Sequence, residues 1–281
     1  MISNRSSDAS TPSALNAGPV ASPKRRQRAT QRNCQPGITL VGTEFNDDLS
    51  GTDNSDTLRG RNGDDVLRGL RCRDQLFGDA GDDRLLGGRE NDQLNGGAGD
   101  DRLIGNQGND TIRGNDGEDV LEGNAGRDTL RGGSKGDVLF GGSGADLLVG
   151  GNGRDTLRGE AGSDQINGGN GDDIIVGGFS NDRLTGGGGA DRFVYNSLDE
   201  RRDQIFDFND DEDRIDLSQI FKSDIYNNEN RFRDYVVVVN DDDDVLIRVD
   251  ADGERGDRPF VTLVRLVDTA FSDIERSNFI L

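Results

Sequence analysis

An aspartate recurs every nine residues from Asp47 to Asp191, and the chain contains no histidine. Written in blocks of nine from Gly42 to Val194, the sequence gives 17 blocks, each with Asp at position 6. The series includes Asp65, Asp83, Asp92, Asp101, Asp110, Asp119, Asp128, Asp137, Asp146, Asp155, Asp164, Asp173, Asp182 and Asp191. Without histidine, His-ligated zinc and Ser-His-Asp or Cys-His catalysis are excluded. What remains is oxygen chemistry. Carboxylates together with main-chain carbonyls exposed by glycine turns suit Ca2+, which takes about six to eight oxygens, and disfavour Mg2+, which demands small octahedral sites with retained water.

Such a series needs a scaffold of the same period. Position 1 is Gly and position 8 is Leu, Ile or Phe in all 17 blocks. Glycine at position 1, with Gly at 11 of 17 fourth positions, reads as permission for the positive φ angles of a tight turn over the first six residues. Positions 7–9, as in Thr129-Leu130-Arg131, alternate polar and apolar like a very short strand with one inward side chain. Two blocks make one flattened coil of 18 residues, and stacked coils let the strands pair in parallel. The predicted fold is all-β, a parallel β-roll (β-solenoid) of 17 nonapeptide repeats. Stacking sets Asp101 beside Asp119 and Asp146 beside Asp164, at roughly 5 Å, and columns of like charge at that spacing call for a cation between them.

Blocks such as GGAGDDRLI (96–104), GNQGNDTIR (105–113) and GGNGDDIIV (168–176) carry the pattern GGxGxDxUx, which resembles the RTX (hemolysin-type) calcium-binding repeats over residues 42–194. The resemblance implies multiple Ca2+ ions held between turns two blocks apart. Their ligands would be carbonyls such as those of Gly96, Ala98, Gly114 and Asp116, and carboxylates such as Asp101 and Asp119. Departures from the pattern grade the expected sites. Position 4 is Phe45, Asn54, Cys72, Glu90, Lys135 or Ser180 in six blocks, and position 2 is Thr43, Thr52, Arg61, Leu70 or Glu160 in five. Such residues resist the glycine conformation, so sites touching 42–77 are expected to be poor and those in 96–131 and 141–176 the best.

Three regions follow from this division: a disordered basic tail (1–41), the β-roll (42–194) and a C-terminal β cap (195–281). The tail carries the cluster Lys24, Arg25, Arg26, Arg28 and Arg32, and lacks the apolar segment of a cleaved signal. Cys34 and Cys72 fit neither a disulfide framework nor a four-ligand zinc site, and their spacing leaves open whether they meet. After Val194 the period stops. Residues 203–208 and 213–218 read as short strands, and Tyr235–Val239 and Val245–Val249 as a hairpin around 240–244, followed by a strand over 260–267. The acidic loops 241–244 and 250–257 read as turns rather than sites. Residues 203–218, 245–253 and the terminal Asn278-Phe279-Ile280-Leu281 resemble the cap and secretion region of serralysin-type RTX exoproteins, which implies the type I export machinery as a partner.

The functional expectation is a secreted, extracellular, non-enzymatic Ca2+-binding protein that folds on calcium outside the cell. Its net charge of −21 and the lack of any apolar run of membrane-spanning length set aside nucleic acid and an integral membrane segment. Two other classes stay open. One is a surface-layer or adhesive protein that bridges through Ca2+ to cell-surface polysaccharide or to copies of itself. The other is a polysaccharide-acting enzyme using a carboxylate pair.

Overall fold

Position 8 is the one inward side chain of each block, and the 18-residue coil decides which of these residues stack. In the computed structural model, which describes residues 34–200, 202–222, 235–250 and 260–281, Leu103 lies opposite Leu121, and Leu121 opposite Leu139. Odd strands, from β1 (Pro36–Val41) and β3 (Ser55–Asn62) to β17 (Arg183–Gly188), form one parallel sheet. Even strands, from β2 (Asp48–Ser50) to β18 (Arg192–Val194), form the other. Between the sheets stand two facing files of buried side chains, one from each sheet, over Leu58 to Phe193. This is the parallel β-roll that the nine-residue period predicts.

The division of each block differs from the expected one. Strands run six residues, as in Arg102–Gln107, so they include positions 1–3 of the next block and leave only positions 4–6 to the turn. Positive φ falls at positions 2 and 4, as at Gly97 (127°) and Gly99 (129°), and not at position 1. Position 1 is glycine for space: a Cβ on Gly96 would lie 2.1 Å from Oδ2 of Asp101. Nor do bulky residues prevent the left-handed conformation, since Arg61, Leu70, Cys72, Glu90, Lys135, Glu160 and Ser180 all adopt it, with φ of 66–92°. Each does so at a cost of about 1–3 kcal/mol that the surrounding layers must over-determine.

The roll also begins earlier than Gly42. Residues 36–41, expected within a disordered tail, form β1, which pairs in register with β3, Leu40 opposite Leu58. The backbone of 34–41 is thus a further half coil, with Ile38 where a block has its Asp, and the Ile38 amide donates to Oδ1 of Asp56 at 2.6 Å. Cys34 and Cys72 form a disulfide with Cα atoms 5.8 Å apart, tying the start of this half coil to the turn of a later layer. The Cys72 amide donates to Glu90 at 2.9 Å, and Arg71 pairs with Asp53 at 3.3 Å. The expected disorder of residues 1–33 and the basic cluster there lie outside the described residues.

Beyond the repeats, both sheets continue. β19 (Asp203–Ile205) joins β17 to β23 (Val261–Leu266) in parallel, and β20 (Arg214–Asp216) joins β18 to β24 (Phe279–Ile280). The hairpin β21 (Val236–Asp241) and β22 (Asp244–Val249) completes the first sheet. Its loop is shorter than the five residues expected: Asp241 pairs with Asp244, and Asp242 takes φ of 58°. Arg265 bridges Asp241 at 2.7 Å and Asp244 at 2.6 Å, so two of the four aspartates there are matched by a cation of the chain itself. The acidic loop after Asp250 falls largely in 251–259, outside the described residues. Among the described residues no helix is long and apolar enough to cross a membrane.

A disulfide closing a loop of this length contributes about 2–4 kcal/mol. Reduction, or Cys34→Ser, should therefore release β1 and the first coil while leaving the middle layers folded. Hydrogen exchange should rise over 36–62 and stay unchanged over 96–176. Unchanged exchange in β1 would show that the bond is not what holds it.

Candidate metal centre

Each turn is joined to the next layer by a fixed set of bonds. The Asp101 amide donates to Oδ1 of Asp119 at 2.9 Å, Val120 N–H donates to the Asp101 carbonyl at 2.9 Å, and Gly81 N–H donates to the Ala98 carbonyl at 2.8 Å. The first contact recurs along both edges at 2.7–2.9 Å, for instance Asp74 to Asp92 and Asp155 to Asp173. The short Asp side chain thus closes the turn of the preceding layer with one oxygen. Its other oxygen has nothing to do: Oδ2 of every position 6 Asp from Asp65 to Asp191 is buried without a hydrogen-bond partner. Oxygens instead converge there. A Cβ on Gly150 would meet Oδ2 of Asp155 at 2.3 Å and the Gly168 carbonyl at 2.5 Å, and Gly159 stands the same way to Asp164 and Gly177.

This arrangement is poor for a bare protein. Burial, helped at most positions by neighbouring aspartates and opposed by the donated amide, pushes the carboxyls up to about 8 at Asp92 and Asp137. It pushes them to about 7 at Asp74, Asp83, Asp101, Asp128, Asp164 and Asp173, and to about 6 at Asp110, Asp119 and Asp182. Asp65, Asp146, Asp155 and Asp191 are raised for the same cause. An unmatched buried polar atom costs about 1–3 kcal/mol, more if charged. Over the whole ladder that exceeds the roughly 5–15 kcal/mol by which a domain is stable. A hard cation held by these oxygens removes the deficit, and the donor set fits Ca2+.

The layers bring the predicted residues together unequally. Asp101 and Asp119 lie in adjacent turns, and Gly96 and Gly114 stand against the Oδ2 atoms of their own blocks. The Ala98 and Asp116 carbonyls accept amides of the preceding layer, from Gly81 and Gly99. No group of three acidic side chains placed to hold one metal ion occurs among the described residues, so each cation would rest on carboxylates and carbonyls together. At the N-terminal end two carboxylates are matched by the chain itself. Oδ2 of Asp47 accepts from the Thr43 amide and hydroxyl, and Oδ2 of Asp56 from those of Thr52, so position 2 threonines do what a cation would do elsewhere. Asp74, although its turn holds Cys72, keeps an unmatched Oδ2 like the rest.

Two members lie outside the period. The Asp182 amide donates to Asp203 and the Asp191 amide to Asp213, both at 2.9 Å, across 21 and 22 residues rather than 18. The signal was present in Asp203-Gln204-Ile205 and Asp213-Arg214-Ile215, which repeat the Asp-x-apolar order of positions 6–8.

Fold and site together define a β-roll with metal-binding turns. The chain belongs to the RTX calcium-binding nonapeptide repeat family, whose sequence model matches residues 41–76, 73–103, 95–130, 104–139, 122–157, 131–166 and 167–197. Among solved structures it is similar to two subunits of the Azotobacter vinelandii mannuronan C5-epimerase. These are AlgE6R2 (25% identity, 51% of this chain and 91% of that one, TM-score 0.38) and AlgE6R3 (28%, 53% and 80%, 0.29). It is also similar to the extracellular lipase LipA from Serratia marcescens (18%, 87% and 40%, TM-score 0.34). No curated protein sequence matches it.

Asp155→Asn keeps the Oδ1 acceptor but removes the charge, and should raise the calcium midpoint of folding by about tenfold. Asp56→Asn, which gives up the Thr52 amide bond to Oδ2 but no ion, should shift that midpoint less. Calcium titrations of the two variants decide the matter, and equal shifts would show that threonine does not replace the ion.

Proposed function

We propose that the chain is a secreted, non-enzymatic Ca2+-binding β-roll, exported unfolded and folded by calcium outside the cell. The observation that carries this reading is the ladder of buried carboxylates, each with one oxygen bound and one without a partner. Such a ladder is incompatible with a stable, charged, metal-free roll and compatible with a loaded one, so metal binding and folding are one reaction. The same burial argues against carboxylate-pair hydrolysis, because these aspartates face the turns and not solvent. Export through type I machinery, and residues 195–281 as both cap and address, follow from the resemblance of that region to serralysin-type exoproteins.

Far-UV circular dichroism of the full chain tests the coupling. In chelator the spectrum should be that of a disordered chain, and millimolar Ca2+, but not equal Mg2+, should produce β signal. A chain fully folded in chelator would overturn the proposal.

A second reading, an interaction protein for anionic polysaccharide, is favoured by one surface. At positions 7 and 9 of β3 to β17 the odd-strand sheet carries no acid, although Asp79 at position 2 of its block pairs with Arg59 at 2.7 Å and Asp116 at position 3 is exposed. It presents Thr, Gln and Asn with Arg59, Arg113, Arg131 and Arg183 in a chain of net charge −21. Arg113 and Arg131 are exposed neighbours in register, without an ion pair, and paired guanidinium groups suit carboxylates. Arg113→Ala with Arg131→Ala should abolish calcium-dependent retention on a uronate-rich resin and spare calcium-driven folding. Retention equal to that of the parent chain would remove this reading.

A further inference from the structure

The outer faces of the two sheets differ. At position 7 the odd-strand sheet shows mostly Thr and Gln, whereas the even-strand sheet turns Val66, Val120, Val138 and Ile174 outward, each half-buried. Position 9 of the even strands forms one row, in register from Arg68 of β4 (Val66–Leu70) to Asp216 of β20, which continues it beyond the period. Its middle member is Phe140 of β12 (Val138–Ser143), the sixth of the eleven strands. Away from Phe140 the row reads Glu122, Ile104, Leu86, Arg68 in one direction and Arg158, Val176, Val194, Asp216 in the other. At equal distances from the centre an acid stands against a base, and an apolar residue against an apolar one.

We propose that this face is an interface between two copies of the chain, related by a two-fold axis that runs along β12. Such an axis reverses the order of the layers and keeps the strand direction. Phe140 therefore meets its own copy, Glu122 meets Arg158, Ile104 meets Val176 and Arg68 meets Asp216. With the layers in the same order each charge would meet its like, which opposes association. Glu122 then stands between Arg102 of its own chain, at 2.5 Å, and Arg158 of the copy. Within one chain exposed Arg158 makes no ion pair, although its charge reaches buried Glu200. The relief of the face agrees with the axis. Asn196 and Glu200 line, with Arg158 and Phe179, a hollow floored by Val176, which is buried despite its outward position, so the loop after β18 stands above the sheet there. That loop lies three layers past β12. Three layers before β12 a second hollow opens over Gly87 and Gly88, between Leu86 and Arg89, where the loop of the copy fits. Exposed Asp199 comes to the level of Arg89, which has no ion pair among the described residues. The like pair Arg84 and Arg192 falls near the ends, where Arg192 already holds Asp216 at 3.7 Å. Nine strands about 4.8 Å apart, mostly six residues long, make a face of roughly 40 by 20 Å, near the ~800 Å2 that each partner gives to a standard interface.

The full chain, folded in calcium, should sediment as a dimer at micromolar concentration. Arg158→Glu sets a carboxylate against Glu122 of the copy and should weaken the association by about tenfold, and adding Glu122→Arg should restore most of that loss. Phe140→Arg meets itself on the axis and should leave a monomer with unchanged β signal. Phe140→Cys should be joined to its copy by a short bismaleimide, since the native cysteines are held in their disulfide. Thr129→Cys, on the other sheet, should not. A parent chain that sediments as a monomer would overturn the proposal, and so would a dimer that Phe140→Arg and Arg158→Glu leave intact. Cross-linking of Thr129→Cys without that of Phe140→Cys would overturn it too, by placing the contact on the odd-strand sheet. Should Phe140→Arg fail to fold, the mass of the parent chain and the cross-linking of Phe140→Cys decide. The interface needs the folded roll, whichever ion completes its turns. A chain already folded in chelator would overturn the calcium reading and should dimerise all the same.

Discussion

Each position 6 carboxylate is divided between two duties that the layer spacing keeps apart. One oxygen completes the turn behind it by accepting an amide, and this works only if the next aspartate arrives 18 residues later at the same height. The other oxygen is then forced into the turn, against a glycine that can have no side chain there. From this follow the glycine at position 1, the left-handed residues at positions 2 and 4, the stacking of leucine on leucine, and the demand for a cation. The core depends on it as well. A core of one inward side chain per block is thin, and it is continuous only because the turns on both edges hold the coils in register.

The period made the roll legible in the sequence, because three positions fixed over 17 blocks leave one way to bury position 8. The aspartate pairs were legible for the same reason. What the period concealed was its own interior. Position 1 glycine reads as a turn former until the carboxylate beside it is seen, and the strands looked half their length because residues at positions 1–3 carry no apolar signal. Beyond the ends of the period the signal in the sequence is weaker. Residues 36–41 hold no aspartate, and position 1 of their block is Asn33, yet their backbone pairs with β3. Insertions of three and four residues displace Asp203 and Asp213 from the period. A disulfide between Cys34 and Cys72 could not be read from spacing, since it depends on a half coil that had itself gone unseen.

The two ends of the roll are chemically unlike. At the start, threonine hydroxyls, a disulfide and the ion pairs of Arg71 and Arg68 hold the layers with groups that the chain supplies. Farther on, most turns open on a glycine and leave their carboxylates unmatched. A Cβ on Gly126 would sit 1.6 Å from the Gly108 carbonyl, which shows how closely those layers approach. Close approach and an unmatched carboxylate are two sides of one design: tight turns leave room for an ion and for little else.

Near-identical layers raise a problem of counting. A coil whose leucine, glycine and aspartate match those of the coil above could slide by a whole layer and find equivalent partners, since register is weakly specified in glycine-rich strands. Only the irregular elements make one alignment unique. The bond between Cys34 and Cys72 fixes which layers come first, and the 21- and 22-residue steps to Asp203 and Asp213 admit only one last layer. The departures from the repeat are therefore its punctuation, and they set the length of the roll.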